Sequence, residues 1–177
     1  MPSSRNGRAQ PERFRGIACG VEGAEPLGGL LERLAGDLGA RPFRLDGVDR
    51  AAYHAAAVFA SNDVVALVSA AQRAWTLAGL PAATARAALA PLLVAAAENV
   101  AQLEAGAELG AALTGPLARG DVASVEAHLA ALSAAPDLRE LYRLLARQLL
   151  AVAPHLDADA RRELERSLAA PQAPGTD

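Results

Sequence analysis

Residues 49–78 of the chain read DRAAYHAAAVFASNDVVALVSAAQRAWTLA. This stretch contains neither Pro nor Gly and is dominated by apolar residues, a pattern typical of an α-helix. We predict one continuous helix here, about 45 Å long at about 1.5 Å per residue. Because the helix is apolar nearly all round, we expect it to be buried on several sides, within the domain or between subunits.

The composition favours closely packed helices throughout the chain. Of the 177 residues, 52% are hydrophobic but only 3% are aromatic, so the core must be built from Ala, Leu and Val. A chain of this length forms one ordinary domain with room for a short appendage. We therefore predict a mainly α fold.

The residues before the long helix predict a short β-α-β piece over 14–46. A strand is expected from Phe14 to Val21, an amphipathic helix from Glu25 to Leu38, and a second strand from Arg41 to Leu45. Five leucines at helical spacing mark the apolar stripe of this helix: Leu27, Leu30, Leu31, Leu34 and Leu38. Polar residues 1–13 and 171–177 are expected to be disordered tails.

Further helices are predicted to complete a helical domain over 47–170. The first, Ala82 to Ala105, contains Pro91; Asp121 is the expected N-cap of a helix through Leu132, and Asp157 that of a last helix to Ala169. Between these two, Leu138 to Val152 is predicted to be a surface helix. Its expected apolar face is Leu138, Leu141, Tyr142, Leu145 and Leu149, with Arg139, Arg143 and Arg147 on another face.

Charge and cysteine content exclude several classes of function. The net charge is −3, and all 17 basic residues are Arg, so we expect no nucleic-acid partner and no catalytic lysine. The single Cys19 favours a reducing, cytoplasmic location. The longest apolar run, Ala55 to Val68, is interrupted by polar residues, so we expect no membrane partner.

A first group of candidate site residues lies in the long helix: Tyr53, His54, Ser61 and Asn62. On a continuous helix His54 and Ser61 share one stripe, roughly 10 Å apart along the axis, which suits them to bracketing a small ligand. His54 could donate a proton while Ser61 and Asn62 hold a carbonyl or carboxylate. The alternative is that His54 and Ser61 only make backbone or interhelical hydrogen bonds.

A second group lies in the Gly-rich segment after Ala105 and comprises Thr114, Gly115, Arg119 and Asp121. The glycines permit a close backbone approach to a ligand that Thr114 and Arg119 could face. The alternative is a simple turn between helices, with Arg119 paired to Asp121 or to a helix C-terminus. Neither group is specific by itself.

Other kinds of site have no support in the sequence. The three histidines are far apart and Cys19 has no companion at metal-ligand spacing, so no metal site is expected. The chain contains no Gly-x-Ser-x-Gly elbow. The glycines at positions 20, 23, 28 and 29 have the wrong spacing for a phosphate-binding turn, so we expect no dinucleotide site.

The order of three motifs resembles a known family. These are YHAA from Tyr53 with Ser61-Asn62, then ALTGPLARGD over 112–121, then His128-Leu129. Together they resemble the C-terminal helical domain of unknown function that follows a Rossmann-like domain in predicted bacterial oxidoreductases. The resemblance covers about Phe14 to Val152, and 14–46 would then be a remnant of the Rossmann-like domain.

More distantly, the arrangement is similar to pyrroline-5-carboxylate reductases and so to the 6-phosphogluconate dehydrogenase C-terminal-like group. That resemblance implies a homodimer that uses NADP or NAD in the complete enzyme and acts on a small-molecule substrate. For this chain alone no cofactor is expected, and a separate Rossmann-domain partner would be needed. The two residue groups above would line the cleft, with His54, Ser61 and Asn62 catalytic and the others binding substrate.

A rival interpretation belongs to a different class of protein. The chain could be a non-catalytic helical dimerisation or interaction module, or the product of a truncated gene.

The absence of lysine separates the chain from hydroxyacid dehydrogenases that use a catalytic lysine.

Overall fold

A computed structural model describes residues 11–153 and 155–169 of the chain. The described part is mainly helical with one two-stranded parallel sheet, which confirms the predicted fold class. Two compact units are formed, Met1–Asp63 and Val64–Asp177; the predicted domain boundary after residue 46 stays a prediction. Of the predicted tails, 1–10 and 171–177 lie outside the described residues, whereas 11–13 belong to a short 3-10 helix, Pro11–Phe14.

The first unit contains the predicted β-α-β piece. Strand β1 (Ala18–Val21) pairs in parallel with β2 (Arg41–Arg44), and α1 (Leu27–Asp37) connects them. Parallel strands cannot be joined by a tight turn, so the chain needs this crossover helix. Helix α2 (Arg50–Phe59) follows, with the Asp49 carboxylate accepting hydrogen bonds from two backbone N–H groups of its first turn.

Helix α1 turns only part of its predicted leucine stripe towards the sheet. Ala35 is buried and Leu31 packs beside it against Val21 and Ala40. The other four leucines of the stripe are exposed: Leu27, Leu30, Leu34 and Leu38. The unit therefore presents an uncovered apolar helix face.

Arg44 ties the end of β2 to the turn that follows β1. Its guanidinium donates to the Gly23 carbonyl oxygen at 2.8 Å and to Glu25 at 3.2 Å, and it also pairs with Asp46. These contacts require a residue without a side chain at position 28. A Cβ there would meet the Arg44 guanidinium and lie 2.5 Å from the Gly23 carbonyl oxygen. Gly28 is thus required for close packing.

The prediction of one continuous helix over 49–78 is wrong at Ala60 and Ser61. A turn at these two residues separates α2 from α3 (Asn62–Leu77). At the turn the Ser61 N–H donates to the carbonyl of Val58, three residues back, and the Ser61 hydroxyl donates to the carbonyl of Ala57. Serine side chains compete in this way for helical carbonyl groups, which favours an interruption.

Helices α3 and α4 (Ala82–Ala101) carry many exposed apolar side chains. In α4, which contains Pro91, Ala85 is the one buried residue, while Leu92 is 66% exposed and Val94 54% exposed. No residue of α3 is buried. Among the described residues the expectation of burial on several sides is therefore not met within a single chain.

The apolar stretch Arg50–Leu77 is long enough to cross a membrane by length and composition alone, with a mean hydropathy of 1.3 over an 18-residue window. This differs from the expectation based on apolar runs, because Ala and Val offset Ser61, Asn62 and Asp63 in the average. As α2 has 10 residues and α3 has 16, each is shorter than the roughly 20 residues of a spanning helix. The absence of a membrane partner stays a prediction.

The second unit is organised around a core formed by its last four helices: α5 (Pro116–Arg119), α6 (Val122–Ala131), α7 (Pro136–Val152) and α8 (Ala158–Leu168). Seven buried residues make this core: Leu117, Val125, Leu129, Ala146, Leu150, Leu164 and Leu168. Asp121 and Asp157 cap α6 and α8 through their side chains, which confirms both predicted N-caps. The seven buried residues are all aliphatic, and Tyr142 packs against them from the side.

The predicted orientation of α7 is wrong in part. Leu138 is buried and Tyr142 packs against the core, as predicted. Leu145 and Leu149 are exposed, whereas Ala146 and Leu150 face the core and Arg143 is buried. Packing decides this orientation, because the small Ala146 lets neighbouring helices approach α7 closely. Arg143, expected on an outer face, is carried inward with it.

We predict opposite effects for two alanine substitutions in α1. Gly28→Ala places a methyl group against the Gly23 carbonyl oxygen and should lower the free energy of unfolding by about 1–3 kcal/mol. Gly36→Ala is the matched control on the same helix; a Cβ there meets no atom within 4 Å, so the gain in helix propensity should raise stability by up to about 1 kcal/mol. Urea unfolding followed by circular dichroism measures both, and equal effects would contradict the packing role of Gly28.

Candidate functional site

The first predicted group of site residues lies in the first unit. Tyr53 is on α2, where its ring packs edge-on against Phe43 with centroids 6.1 Å apart. His54 is exposed on the same helix and makes no side-chain hydrogen bond to a described residue. Its imidazole is therefore accessible to a ligand.

Ser61 and Asn62 stand at the turn between α2 and α3. The Ser61 hydroxyl donates to the Ala57 carbonyl oxygen at 2.6 Å, as the backbone-bonding alternative expects. Its oxygen lone pairs stay available, so Ser61 can accept a hydrogen bond from a ligand but its own proton is engaged. Asn62 is the first residue of α3 and is exposed.

The second predicted group surrounds the short helix α5 in the second unit. Gly115 precedes it with φ +92°, a conformation that L side chains rarely adopt, and a Cβ added there would meet no atom within 4 Å. Thr114 and Arg119 are exposed on either side of the turn. The turn therefore offers open space beside a backbone that only Gly forms readily.

Asp121 has a structural role that its sequence position predicted. One carboxylate oxygen accepts the Ser124 N–H at 3.0 Å, and the other accepts the Ser124 hydroxyl at 2.6 Å. These hydrogen bonds, helped by the charges of Arg119 and His128, hold the pKa of Asp121 below its ordinary value. The carboxylate thus fixes the start of α6, and with it the end of the turn.

The two groups belong to different units. Tyr53, His54, Ser61 and Asn62 lie within Met1–Asp63, whereas Thr114, Gly115, Arg119 and Asp121 lie within Val64–Asp177. The members of each group lie close together in the sequence. That they line one cleft stays a prediction.

Two polar pairs in the second unit were missed at the level of sequence. The Tyr142 hydroxyl lies 2.9 Å from Nδ1 of His128 at the edge of a cavity of about 300 Å³, and burial raises the pKa of Tyr142. The Arg73 guanidinium donates two hydrogen bonds, of 2.7 and 3.1 Å, to the Asp137 carboxylate oxygens. This ion pair lowers the pKa of Asp137. Both pairs join residues from separate helices, so no local spacing signals them.

The described residues do not fit a dinucleotide in the turn between β1 and α1. In a Rossmann unit the pyrophosphate lies at this turn, against the N-terminus of the helix. Here the turn carries Glu22 and Glu25, and the Arg44 guanidinium occupies the space above Gly28. Among the described residues, no cluster of three or more His, Cys, Asp or Glu side chains could hold a metal ion.

Comparison with known proteins places the chain in a family. Residues 17–149 match the model of a domain of unknown function, DUF2520. The chain belongs to the DUF2520 family. The match includes both candidate groups and ends before α8. No curated protein matches the chain.

Two crystal structures are similar to this DUF2520 chain. Protein TM1727 from Thermotoga maritima is 29% identical with a TM-score of 0.68, over 80% of this chain and 55% of that protein. A Bacteroides fragilis protein named putative NADP oxidoreductase BF3122 is 28% identical with a TM-score of 0.54, over 71% of this chain and 46% of that protein. The chain thus spans about half the length of each.

We predict that Asp121→Ala lowers the melting temperature by about 2–4 °C at neutral pH, because α6 loses its N-cap. Asp121→Asn is the control, since asparagine also caps helices, and it should melt close to the wild type. The folded pKa of Asp121 is lowered from 3.8, so the stabilisation is present above this value and is lost as the pH falls below it. The gap between wild type and Asp121→Ala should therefore shrink in acid, and a gap that is constant with pH would contradict the capping role of the ionised carboxylate.

Proposed function

We propose that this DUF2520 chain is the substrate-binding and dimerisation part of an NAD(P)-dependent oxidoreductase acting on a small carbonyl, imine or hydroxyacid. The observation that carries the proposal is the 28% identity, over 71% of the chain, to a protein named putative NADP oxidoreductase. The family match over 17–149 supports an oxidoreductase-like fold. The finer relationship to 6-phosphogluconate dehydrogenase-like domains and pyrroline-5-carboxylate reductases is part of the proposal.

The cofactor site in this proposal belongs to a Rossmann domain outside the described residues. The acidic turn after β1, filled by Arg44, is unsuited to a pyrophosphate. The exposed leucines of α1 are an apolar face that a larger α/β domain would cover, and Leu34 is 54% exposed. Both observations support a separate cofactor domain. NADP or NAD is its proposed ligand, and a cytoplasmic location of the assembled enzyme is part of the proposal.

His54 is the proposed proton donor to the reacting group. It is exposed, and an imidazole can donate or accept a proton near neutral pH. Ser61 and Asn62, at the adjoining turn, orient the substrate, with the Ser61 oxygen acting as acceptor because its proton is bound to Ala57. Tyr53 lies next to His54 and contributes its exposed ring edge to the substrate site.

Thr114, Gly115 and Arg119 are the proposed contacts to a substrate carboxylate or a cofactor phosphate. An arginine guanidinium suits such an anion because it donates two parallel hydrogen bonds. Asp121 acts through the turn, since its cap on α6 fixes the backbone that follows Arg119. In this proposal the chain binds the substrate, orients it and donates a proton to it.

The proposed dimer is supported by α3 and α4. Leu92 and Val94 of α4 are more than half exposed, and further exposed apolar residues lie on α3. A helix that is apolar all round is normally buried, and large exposed apolar patches mark interaction sites. A second copy of the chain, related by two-fold symmetry, would cover both helices.

We predict that the wild-type chain has twice the monomer mass of 18.1 kDa in light scattering. Leu92→Asp puts a charge into the proposed interface and should shift the protein towards monomer. Leu34→Asp is the control, because it makes the same chemical change at a similarly exposed leucine of α1, and it should leave the dimer intact. A monomeric wild type, or equal effects of the two variants, would count against α4 as the interface.

The catalytic part of the proposal is tested with the chain and a co-purified Rossmann-domain protein. In calorimetric titration the chain alone should not bind NADPH, and the complex should. The complex should also oxidise NADPH with a small carbonyl or imine compound. His54→Ala, still folded and dimeric, should then lose about 10²–10⁴-fold in turnover.

The control for His54→Ala is His155→Ala, at an exposed histidine outside both candidate groups. Unchanged turnover in His54→Ala would exclude the proposed proton donor. A non-catalytic dimerisation module is the second candidate, favoured by the exposed apolar surface of α4. A dimer for which no NADPH-binding partner exists would establish that candidate instead.

A further inference from the structure

Arg143 is the one charged or polar residue that is buried among those the structure describes. Its side chain is 9% exposed and lies in the middle of α7. An arginine side chain does not lose its proton in proteins, so a positive charge is buried here. Such a charge destabilises the folded state unless it is paired and hydrogen-bonded.

The pairing that the described residues provide for Arg143 is weak. Its nearest carboxylate oxygen belongs to Glu140 at 3.7 Å, close to the limit of an ion pair, and Glu140 is half exposed. The same carboxylate lies 3.7 Å from Arg147. In addition, the buried Nε atoms of Arg139 and Arg143 have no hydrogen-bond partner among the described residues. Arg143 and Arg147 therefore share one carboxylate, and that carboxylate lies near the distance limit of an ion pair from each of them.

Helix α7, which carries Arg143, packs against two elements that lie next to the second candidate group. Two elements that flank the Thr114-Gly115 turn pack against α7: the 3-10 helix Leu109–Ala112 and α5. The side of Gly115 where a Cβ would lie is open. An acidic group held in this part of the unit would supply the oxygen acceptors that the arginines lack.

We infer that Arg143 is the receptor for a carboxylate or phosphate group of the small molecule that the second unit binds, with Arg139 beside it. This deepens the proposed function and rests on it for the identity of the ligand, since it makes the substrate or cofactor moiety acidic. Anion binding itself needs neither turnover nor a Rossmann partner. It can therefore be tested on the chain alone.

The test uses inorganic phosphate and succinate as probes, with sodium chloride at equal ionic strength as reference. Millimolar phosphate or succinate should raise the melting temperature of the wild type above that in chloride. Arg143→Met should abolish this shift and weaken the dissociation constant by at least about tenfold, the loss of one charge-assisted contact. Arg147→Met is the matched control, because Arg147 shares Glu140 on the same helix but is 40% exposed, and it should keep the shift.

The stability of the variants without added anion separates a receptor from a structural arginine. If the charge of Arg143 is uncompensated without a bound anion, the Arg143→Met substitution removes a destabilising charge. The variant should then melt at or above the wild-type temperature. A variant that melts well below Arg147→Met, or fails to fold, would overturn the inference. Arg143→Lys keeps the charge but loses the bidentate fork, so it should fold and bind the probes more weakly than the wild type.

The remaining outcomes separate this inference from the proposed function. A wild type that shows no anion-specific shift overturns the inference, yet leaves the dimer and the role of His54 to their own tests. A shift that appears in the wild type but is absent from monomeric Leu92→Asp would mean that a second copy supplies or completes the site, against a receptor contained in one unit. A shift retained in Leu92→Asp and lost in Arg143→Met supports the inference, whatever the turnover assay shows.

Discussion

The packing of α8 against α6 and α7 is the contact on which the second unit depends. Leu164 and Leu168 of α8 are fully buried, and Arg161 donates hydrogen bonds at 2.8 Å to the carbonyl oxygens of Leu150 and Ala153. Carbonyl groups at a helix C-terminus have no partner within their own helix, so α8 both covers the core and satisfies the end of α7. The DUF2520 match ends at residue 149, so α8, which completes this core, lies outside the matched residues.

The same contact fixes the turn that carries the second candidate group. Gly120 ends α5 with φ +69°, and a Cβ there would lie 3.0 Å from Ala160 and 3.2 Å from Leu156. Glycine avoids both this tight contact and the strain of a positive φ, and the Asp121 cap then starts α6 at once. Arg119 directly precedes these two constrained residues, and its side chain is exposed.

Features that depend on neighbouring residues could be predicted from the sequence, and features that depend on packing could not. The caps at Asp121 and Asp157 need only a carboxylate and the N–H groups two or three residues later, and both were predicted. The turn at Ser61 was missed because neither Pro nor Gly marks it in the sequence. His54 is exposed, and its role stays a prediction, whereas the burial of Arg143 follows from the approach of other helices to Ala146.

The exposed apolar side chains of α4 and the buried charge of Arg143 differ in the kind of partner that would satisfy them. The exposed side chains of α4, such as Leu92, are satisfied by any apolar surface of matching extent, because the hydrophobic effect is not directional. Buried Arg143 instead requires a few anionic oxygens in defined positions. A second copy that covers α4 by apolar contact therefore would not compensate the positive charge of Arg143 on α7. The proposed assembly and the proposed ligand binding of this unit are therefore separable.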